Sequence, residues 1–209
     1  MFNQYLPGTR WGKILLYTCL SAVVGMARID WSVTAEDIIR RVKSIYGATI
    51  TEDQVVKALG YEYRISWKKA VEVARFIRGF TIKQAEEYLS NVVALKMPIP
   101  IRRFTKKQAH HTTPWEGWPV AKWPVRVAKA YLEVLKNLEN NAIYKGLNVD
   151  NVVIIHAAVH KGRKIRNYMP RAFGRSTPWF QDTVTIELAG AELPPENVPK
   201  RLKLRPKPY

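Results

Sequence analysis

The sequence predicts an α+β fold: helices packed on a small antiparallel sheet, with a long β-hairpin projecting from it. Three observations carry this prediction. Apolar residues recur at helical spacing in successive segments before Gly146, and the period then changes to that of strands. The two strands so predicted, Val152 to Val159 and Thr183 to Leu188, flank residues 161–181, which hold six Lys or Arg and no acid. If both strands continue into that segment, each arm adds roughly ten residues at about 3.3 Å each, on the order of 30 Å. No core covers such an arm.

Taken in order, Thr34 to Ser44 and Glu52 to Leu59 read as two short helices separated by the Gly47 turn, the second capped by Thr51. Ser66 is an N-cap for a helix with Trp67, Ala70, Val71, Ala74 and Ile77 at helical spacing, and Gly79 stops it. Thr81 and Gln84 form a capping-box pair, followed by a stripe of Ile82, Ala85, Tyr88, Leu89, Val92 and Val93 that ends before Pro98. Residues 97–124 carry five prolines, the basic residues Arg102, Arg103, Lys106 and Lys107, the pair His110-His111, and Trp115, Trp118 and Trp123. This reads as an irregular loop, and its tryptophans argue against disorder. Pro124 opens the next helix at its first position, with Val127, Ala128, Tyr131, Leu132, Leu135 and Leu138 facing inward. In the second strand Thr183, Thr185 and Glu187 alternate with Val184, Ile186 and Leu188.

The chain so organised has an N-terminal extension (1–25), an N-terminal helical segment (26–63), a globular α+β domain (64–199) containing the tryptophan loop 97–124 and the hairpin arm 161–181, and a basic tail (200–209). Ile14 to Met26 is apolar, uncharged and preceded by Arg10 and Lys13, yet too short to span a bilayer, which takes roughly 20 apolar residues. Three readings compete: a signal peptide, a helix that packs on the domain or a partner, or an upstream extension that is not translated. The third is preferred, because Met26-Ala27-Arg28 would itself make an ordinary start.

The net charge is +17, from 34 Lys and Arg against 17 Asp and Glu. Self-repulsion on this scale calls for a polyanion, and nucleic acid is the obvious one. The excess is uneven: residues 1–60 hold 7 basic and 5 acidic residues, whereas 151–209 hold 11 and 4. With 47% hydrophobic residues the chain is no mere basic tail. Its one cysteine, Cys19, excludes an intramolecular disulfide or a Cys-based zinc site and fits a reducing cytoplasm. No membrane partner is implied.

No catalytic residue, metal ligand set or cofactor site is predicted. His156 and His160 have the spacing of a zinc-binding helix but lack its glutamate, and on a strand they would stand roughly 13 Å apart, too far for one ion. They read instead as lining the base of a basic arm, and His110-His111 as facing phosphate or solvent. There is no glycine-rich phosphate loop and no nucleophile elbow. The sharpest feature is the arm itself. A merely solvated loop has no use for Ile165, Tyr168, Met169, Phe173, Trp179 and Phe180 among its arginines. Arginine forks phosphate, and both arginine and aromatic rings stack on unpaired bases, so the arm reads as inserting into RNA.

Tyr168-Met169-Pro170-Arg171-Ala172-Phe173-Gly174-Arg175, followed by Ser176-Thr177-Pro178 and a Thr-Val-Thr-Ile-Glu-Leu strand, resembles the signature of the large-subunit ribosomal protein L-twenty-two family. Upstream, Ile77-Arg78-Gly79, Ala94-Leu95-Lys96 with Pro98 and Pro100, Asn140-Asn141-Ala142 with Tyr144-Lys145-Gly146-Leu147, and His156-Ala157-Ala158-Val159-His160-Lys161-Gly162-Arg163 look like its archaeal and eukaryotic branch. The likeness covers roughly residues 60 to 190. It departs at Thr185, where many members carry histidine, and residues 1–25 match nothing in the family. The resemblance implies a structural constituent of the large ribosomal subunit in the cytoplasm. Its hairpin would cross 23S-type ribosomal RNA and line the polypeptide exit tunnel, with neighbouring ribosomal proteins and the nascent polypeptide as further partners. Carried over, the RNA-contacting arm is Arg163, Lys164, Arg166, Arg171 and Arg175; the residues themselves add His160 and Lys161 at its base to the RNA-binding set, and Arg102, Arg103, Lys106 and Lys107 as phosphate contacts. The tunnel-lining tip is Met169, Pro170, Arg171, Ala172, Phe173 and Gly174. The competing reading from another class is a free RNA-modifying or RNA-processing enzyme using the same basic surface.

Overall fold

The computed structural model describes residues 31–106, 108–110, 113, 115 and 120–199. Every element below lies in the unit that begins at Ser32. The extension 1–25, Lys107, His111, Trp118 and the tail 200–209 lie outside the described residues.

Among the described residues, four helices pack around one three-stranded antiparallel sheet, with two short two-stranded ladders beside it. Helix α1 (Ala35–Tyr46) starts at Thr34, whose Oγ1 accepts from the Asp37 N–H at 3.3 Å, and ends at Gly47 with φ 69°. Strand β1 (Val55–Tyr63) follows a single 3-10 turn, Glu52–Gln54. Helices α2 (Trp67–Ile77) and α3 (Ile82–Val93) are joined through Gly79, φ 83°, and the Thr81–Gln84 capping box forms as the sequence predicts. The short strands β2 (Ile99–Pro100) and β3 (Ala121–Lys122) pair across the tryptophan loop. Helix α4 (Val125–Tyr144) begins after Pro124, which occupies the N-cap rather than the first helical turn. The chain closes with β4 (Val152–Ile165), β5 (Tyr168–Pro170), β6 (Ser176–Pro178) and β7 (Gln181–Glu192).

The sheet runs β1-β7-β4, all antiparallel, so the last strand is its centre. Its alternation sorts residues to two covered faces. Val56, Ala58, Val152, Ile154, Val184, Ile186 and Leu188 meet α2, α3 and α4 in the main core, around the fully buried Tyr131, Leu135 and Leu138. Val55, Val153, Ile155, Ala189 and Ala191 meet Ile38 and Val42 of α1 in a second, smaller core. The polar face of β7 therefore does not see solvent: Thr183, Thr185 and Glu187 are all buried. The α2–α3 turn is locked to β4 by backbone hydrogen bonds, Gly79 N–H to Ile154 O at 2.7 Å and Ile154 N–H to Phe80 O at 2.9 Å.

One expectation is corrected. Glu52 to Leu59 is not a helix, and the segment 26–63 is not helical throughout: β1 pairs with β7 from Val55↔Ala191 to Tyr63↔Val184. The helix-start signal at Thr51 is real, since its N–H donates to Gln54 Oε1 at 3.1 Å, but it closes only one turn. Val55 and Val56 then begin an alternating run whose burial completes the sheet edge, and pairing outweighs the local cap. Residue 63 accordingly divides no folding unit.

Gly190 sits where β7 faces β1 and β4 together. A Cβ there would meet Val152 Cγ1 at 2.9 Å and the Val153 carbonyl oxygen at 3.1 Å. Gly190→Ala is expected to destabilise the domain by about 1–3 kcal/mol through overpacking, lowering the thermal midpoint by several degrees. An unchanged midpoint would show that the strand spacing yields.

Candidate nucleic-acid interface

Strands β4 and β7 leave the core together. On β4 burial is complete through Ala157 and partial at Ala158 and Val159; from His160 the strand is exposed apart from the half-buried Gly162 and Ile165. Pairing nevertheless continues through Lys164↔Asp182 and Ile165↔Gln181, then Tyr168↔Pro178 to Pro170↔Ser176. The Trp179 N–H to Asn167 O bond, 2.6 Å, bridges the two ladders. All residues from Pro170 to Phe180 are exposed.

The arm is aimed by a bulge. Between Lys161↔Val184 and Lys164↔Asp182, Gly162 and Arg163 oppose Thr183 alone, and the Thr183 hydroxyl donates to the Arg163 carbonyl at 2.7 Å. A Cβ on Gly162 would meet that hydroxyl at 2.6 Å, so this position takes glycine for want of space. At the tip Phe173 and Gly174 both have left-handed backbone, φ 59° and 66°, and the Arg171 N–H donates to Arg175 O at 2.8 Å. Phe173 is 96% exposed. A large aromatic residue in that conformation, buried against nothing, serves no packing purpose.

Charge is neutralised at the base of the arm and bare beyond it. Lys161 pairs with Asp182 at 3.4 Å and lies over the Trp67 ring at 5.6 Å, and Arg163 pairs with Glu62 at 3.2 Å. Lys164, Arg166, Arg171 and Arg175 are exposed, with the Arg171 Nε donating to Thr177 Oγ1 at 3.2 Å. Tyr168 and Phe180 stack edge to face across the arm at 5.8 Å.

His156 and His160 resolve into a hydrogen-bonded cluster around Glu187, and among the described residues no group of three or more His, Cys, Asp or Glu is gathered closely enough to hold a metal ion. Glu187 pairs with Ala158, midway between the two histidines, so they flank it on one face. The Ser32 hydroxyl donates to Glu187 Oε2 at 2.7 Å, and His160 Nε2 lies 2.9 Å from the same oxygen. Burial would raise Glu187, but the Ser32 and His160 hydrogen bonds win and hold its carboxyl below the ordinary carboxylate value. Burial, together with the nearby Arg41 and Arg78 charges, pushes His156 below its ordinary value against the pull of Glu187. Its Nδ1, 2.9 Å from Arg41 Nη1, accepts from that guanidinium, so the neutral ring carries its proton on Nε2.

The basic loop is held by a residue that sequence reasoning missed. Glu72 of α2 is buried, and its carboxylate accepts the backbone N–H groups of Arg102 at 3.1 Å, Arg103 at 2.7 Å and Phe104 at 3.0 Å. This fixes the loop backbone while the Arg102, Arg103 and Lys106 side chains stay exposed. Its sequence signal was a lone acid between the apolar positions Val71 and Val73.

Glu72→Gln keeps the shape but removes the charge. Hydrogen bonds to a charged group contribute roughly 1.5–3 kcal/mol, so amide exchange at Arg103 and Phe104 is expected to rise about 10- to 100-fold. Unchanged exchange would show that the loop is held elsewhere. The His156 and Glu187 shifts both act in acid. Each group binds its proton less readily folded than unfolded, so the stability they contribute is complete at neutral pH. It falls as pH drops through about 6.5 for His156 and again through about 4.5 for Glu187. The thermal midpoint should follow, and His156→Gln, which can still accept from Arg41, should flatten the first fall. A midpoint constant from pH 7 to 5 would contradict the assignment.

Comparison with known proteins accords with this geometry. The family profile described as Ribosomal protein L22p/L17e matches residues 58–190. A large ribosomal subunit protein uL22 of Caldivirga maquilingensis is 64% identical over 171 residues, covering 82% of this chain and 92% of the relative. That of Pyrobaculum calidifontis is 62% identical, covering 86% and 97%, and that of Archaeoglobus fulgidus 47% identical, covering 78% and 96%. With the match spanning strand β1 from Ala58, all of α2 to α4 and the whole arm, the chain belongs to the L22p/L17e family of ribosomal proteins.

Proposed function

We propose that this chain is a structural constituent of the large ribosomal subunit in the cytoplasm. Its arm enters 23S-type ribosomal RNA, its loop and arm cations support subunit assembly, and its tip, Met169 to Gly174, lines the polypeptide exit tunnel facing the nascent chain. The observation that carries this reading is the exposed arm, continuous with the central strand, acid-free from residue 161 to 181 and tipped by Phe173. Arg171, Arg175, Lys164 and Arg166 supply phosphate contacts, and Tyr168, Trp179 and Phe180 supply faces for unpaired bases. The Arg102–Lys106 loop adds a second phosphate-facing surface, and neighbouring large-subunit proteins complete the surroundings. The role is architectural rather than enzymatic. No helix among the described residues is long and apolar enough to cross a membrane.

The register indicates how to remove the arm. Ile165 and Gln181 are Cα partners, so a two-residue Asn-Gly turn can replace residues 166–180. That variant should retain the thermal midpoint of the domain and co-sediment one-to-one with large subunits less firmly in rising salt, with altered nascent-chain stalling. Phe173→Ala should alter stalling alone. Recovery of the unaltered chain only as free protein, or substoichiometrically, would favour an RNA-modifying enzyme instead.

A further inference from the structure

Strand β1 stands at one edge of the sheet, with β7 on its inner side. The carbonyls of Val55 and Lys57 turn away from β7: they accept from Lys145 Nζ at 2.8 Å and Asn141 Nδ2 at 2.9 Å, at the end of α4. In an antiparallel ladder the N–H and C=O of one residue point the same way, and the direction alternates along the strand. Val55, Lys57 and Leu59 therefore form the outward row, while Val56, Ala58 and Gly60 bond to β7. An outward row of backbone donors and acceptors is a template for another strand.

The two edges of the sheet are closed in different ways. On β4 the closure is mainly backbone: Gly79 and Phe80 bond to Ile154, Thr81 bridges Val153, and Arg78 Nε and Nη2 both donate to the Ala157 carbonyl at 3.1 and 2.7 Å. On β1 it consists of side chains from Asn141 and Lys145, two residues that are themselves exposed. Beside them lies a cavity of about 360 Å³ lined by Val55, Lys57, Asn141, Tyr144 and Lys145. Tyr144 is 93% exposed, and Ile143 and Tyr61 are exposed as well. This edge thus has both room for an incoming chain and apolar surface that such a chain would cover.

We propose that Asn141 and Lys145 are blocking residues, which keep the outer edge of β1 from pairing with β1 of a second copy of this chain. Such a pairing is self-complementary: two β1 edges laid antiparallel about a twofold axis offer each other the same row, Val55, Lys57 and Leu59. The net charge of +17 opposes the approach of two copies. That repulsion is screened beyond about 8 Å at physiological salt, and a bound polyanion cancels it. The two side chains act at contact distance, by occupying the carbonyls that a partner strand would need. This gives a task to the runs Asn140-Asn141-Ala142 and Tyr144-Lys145-Gly146, which RNA binding leaves unused. The inference goes beyond the RNA-binding reading and is tested without RNA.

The test is sedimentation of the full chain over a range of concentrations in roughly 0.5 M salt, where the screening length falls to about 4 Å. The unaltered chain should remain a monomer. Asn141→Ala combined with Lys145→Ala removes both donors and leaves α4 a good helix former. This variant should self-associate, its association constant raised roughly tenfold to a hundredfold, the size expected for two hydrogen bonds made available. Amide exchange at Lys57 and Leu59 should slow as the dimer forms. Leu59→Pro deletes an outward N–H without touching the ladder to β7, so adding it to the double variant should restore the monomer. A double variant that stays monomeric, or a dimer that survives Leu59→Pro, would show that this edge is not the surface being guarded. A thermal midpoint lowered as far as by a core substitution would show that the two bonds hold the fold instead. Each of these results would overturn the blocking role, as would self-association of the unaltered chain.

Discussion

The rest of the structure depends on the antiparallel pairing of β4 with β7. Inside the domain this ladder is the spine of the sheet, with β7 held on its other side by β1. Outside it, the same two chains continue with no core at all, from Lys164↔Asp182 to the tip. An isolated two-stranded ribbon is marginal in water. Here its root is set in a sheet buried on both faces, so the ordering entropy of the arm is partly met where residues such as Ile154, Ile186 and Leu188 are already fixed.

Two buried carboxylates tie the domain to its basic surfaces. Glu187 gathers Ser32, His156 and His160 where β4 emerges, and Glu72 gathers the backbone of the basic loop. Each is surrounded by donors, which give the oxygens of an acid taken out of water the hydrogen bonds they need. The cations are thus oriented by acids that face inward and scarcely dilute the outward charge.

Much of this was legible in the sequence because it is written in local patterns. The Thr81–Gln84 box, the Gly79 stop, the α4 stripe and the arm are all consequences of short-range spacing and composition. The arm is the clearest case, since a run of cations and aromatics without acids has no buried interpretation. Glu52 to Leu59 misled because a true cap at Thr51 precedes a strand whose partner, β7, lies more than 120 residues away. Glu72 and Glu187 escaped for the same reason. Their donors come from the loop at 102–104 and from Ser32, and no local pattern announces which acid will be buried among distant N–H and O–H groups.

The bulge at Gly162 and Arg163 has a mechanical consequence. With the two strands running on beyond it from Lys164 to Pro170 and from Ser176 to Asp182, roughly 23 Å at about 3.3 Å per residue, the arm is a lever pivoting on two residues and the Thr183 hydroxyl. A rotation of about 10° at that pivot would swing the far end of the ladder by roughly 4 Å, close to the spacing between neighbouring strands. The position of an exposed phenylalanine at the tip is therefore set by the space left for a hydrogen in place of a methyl group at the root.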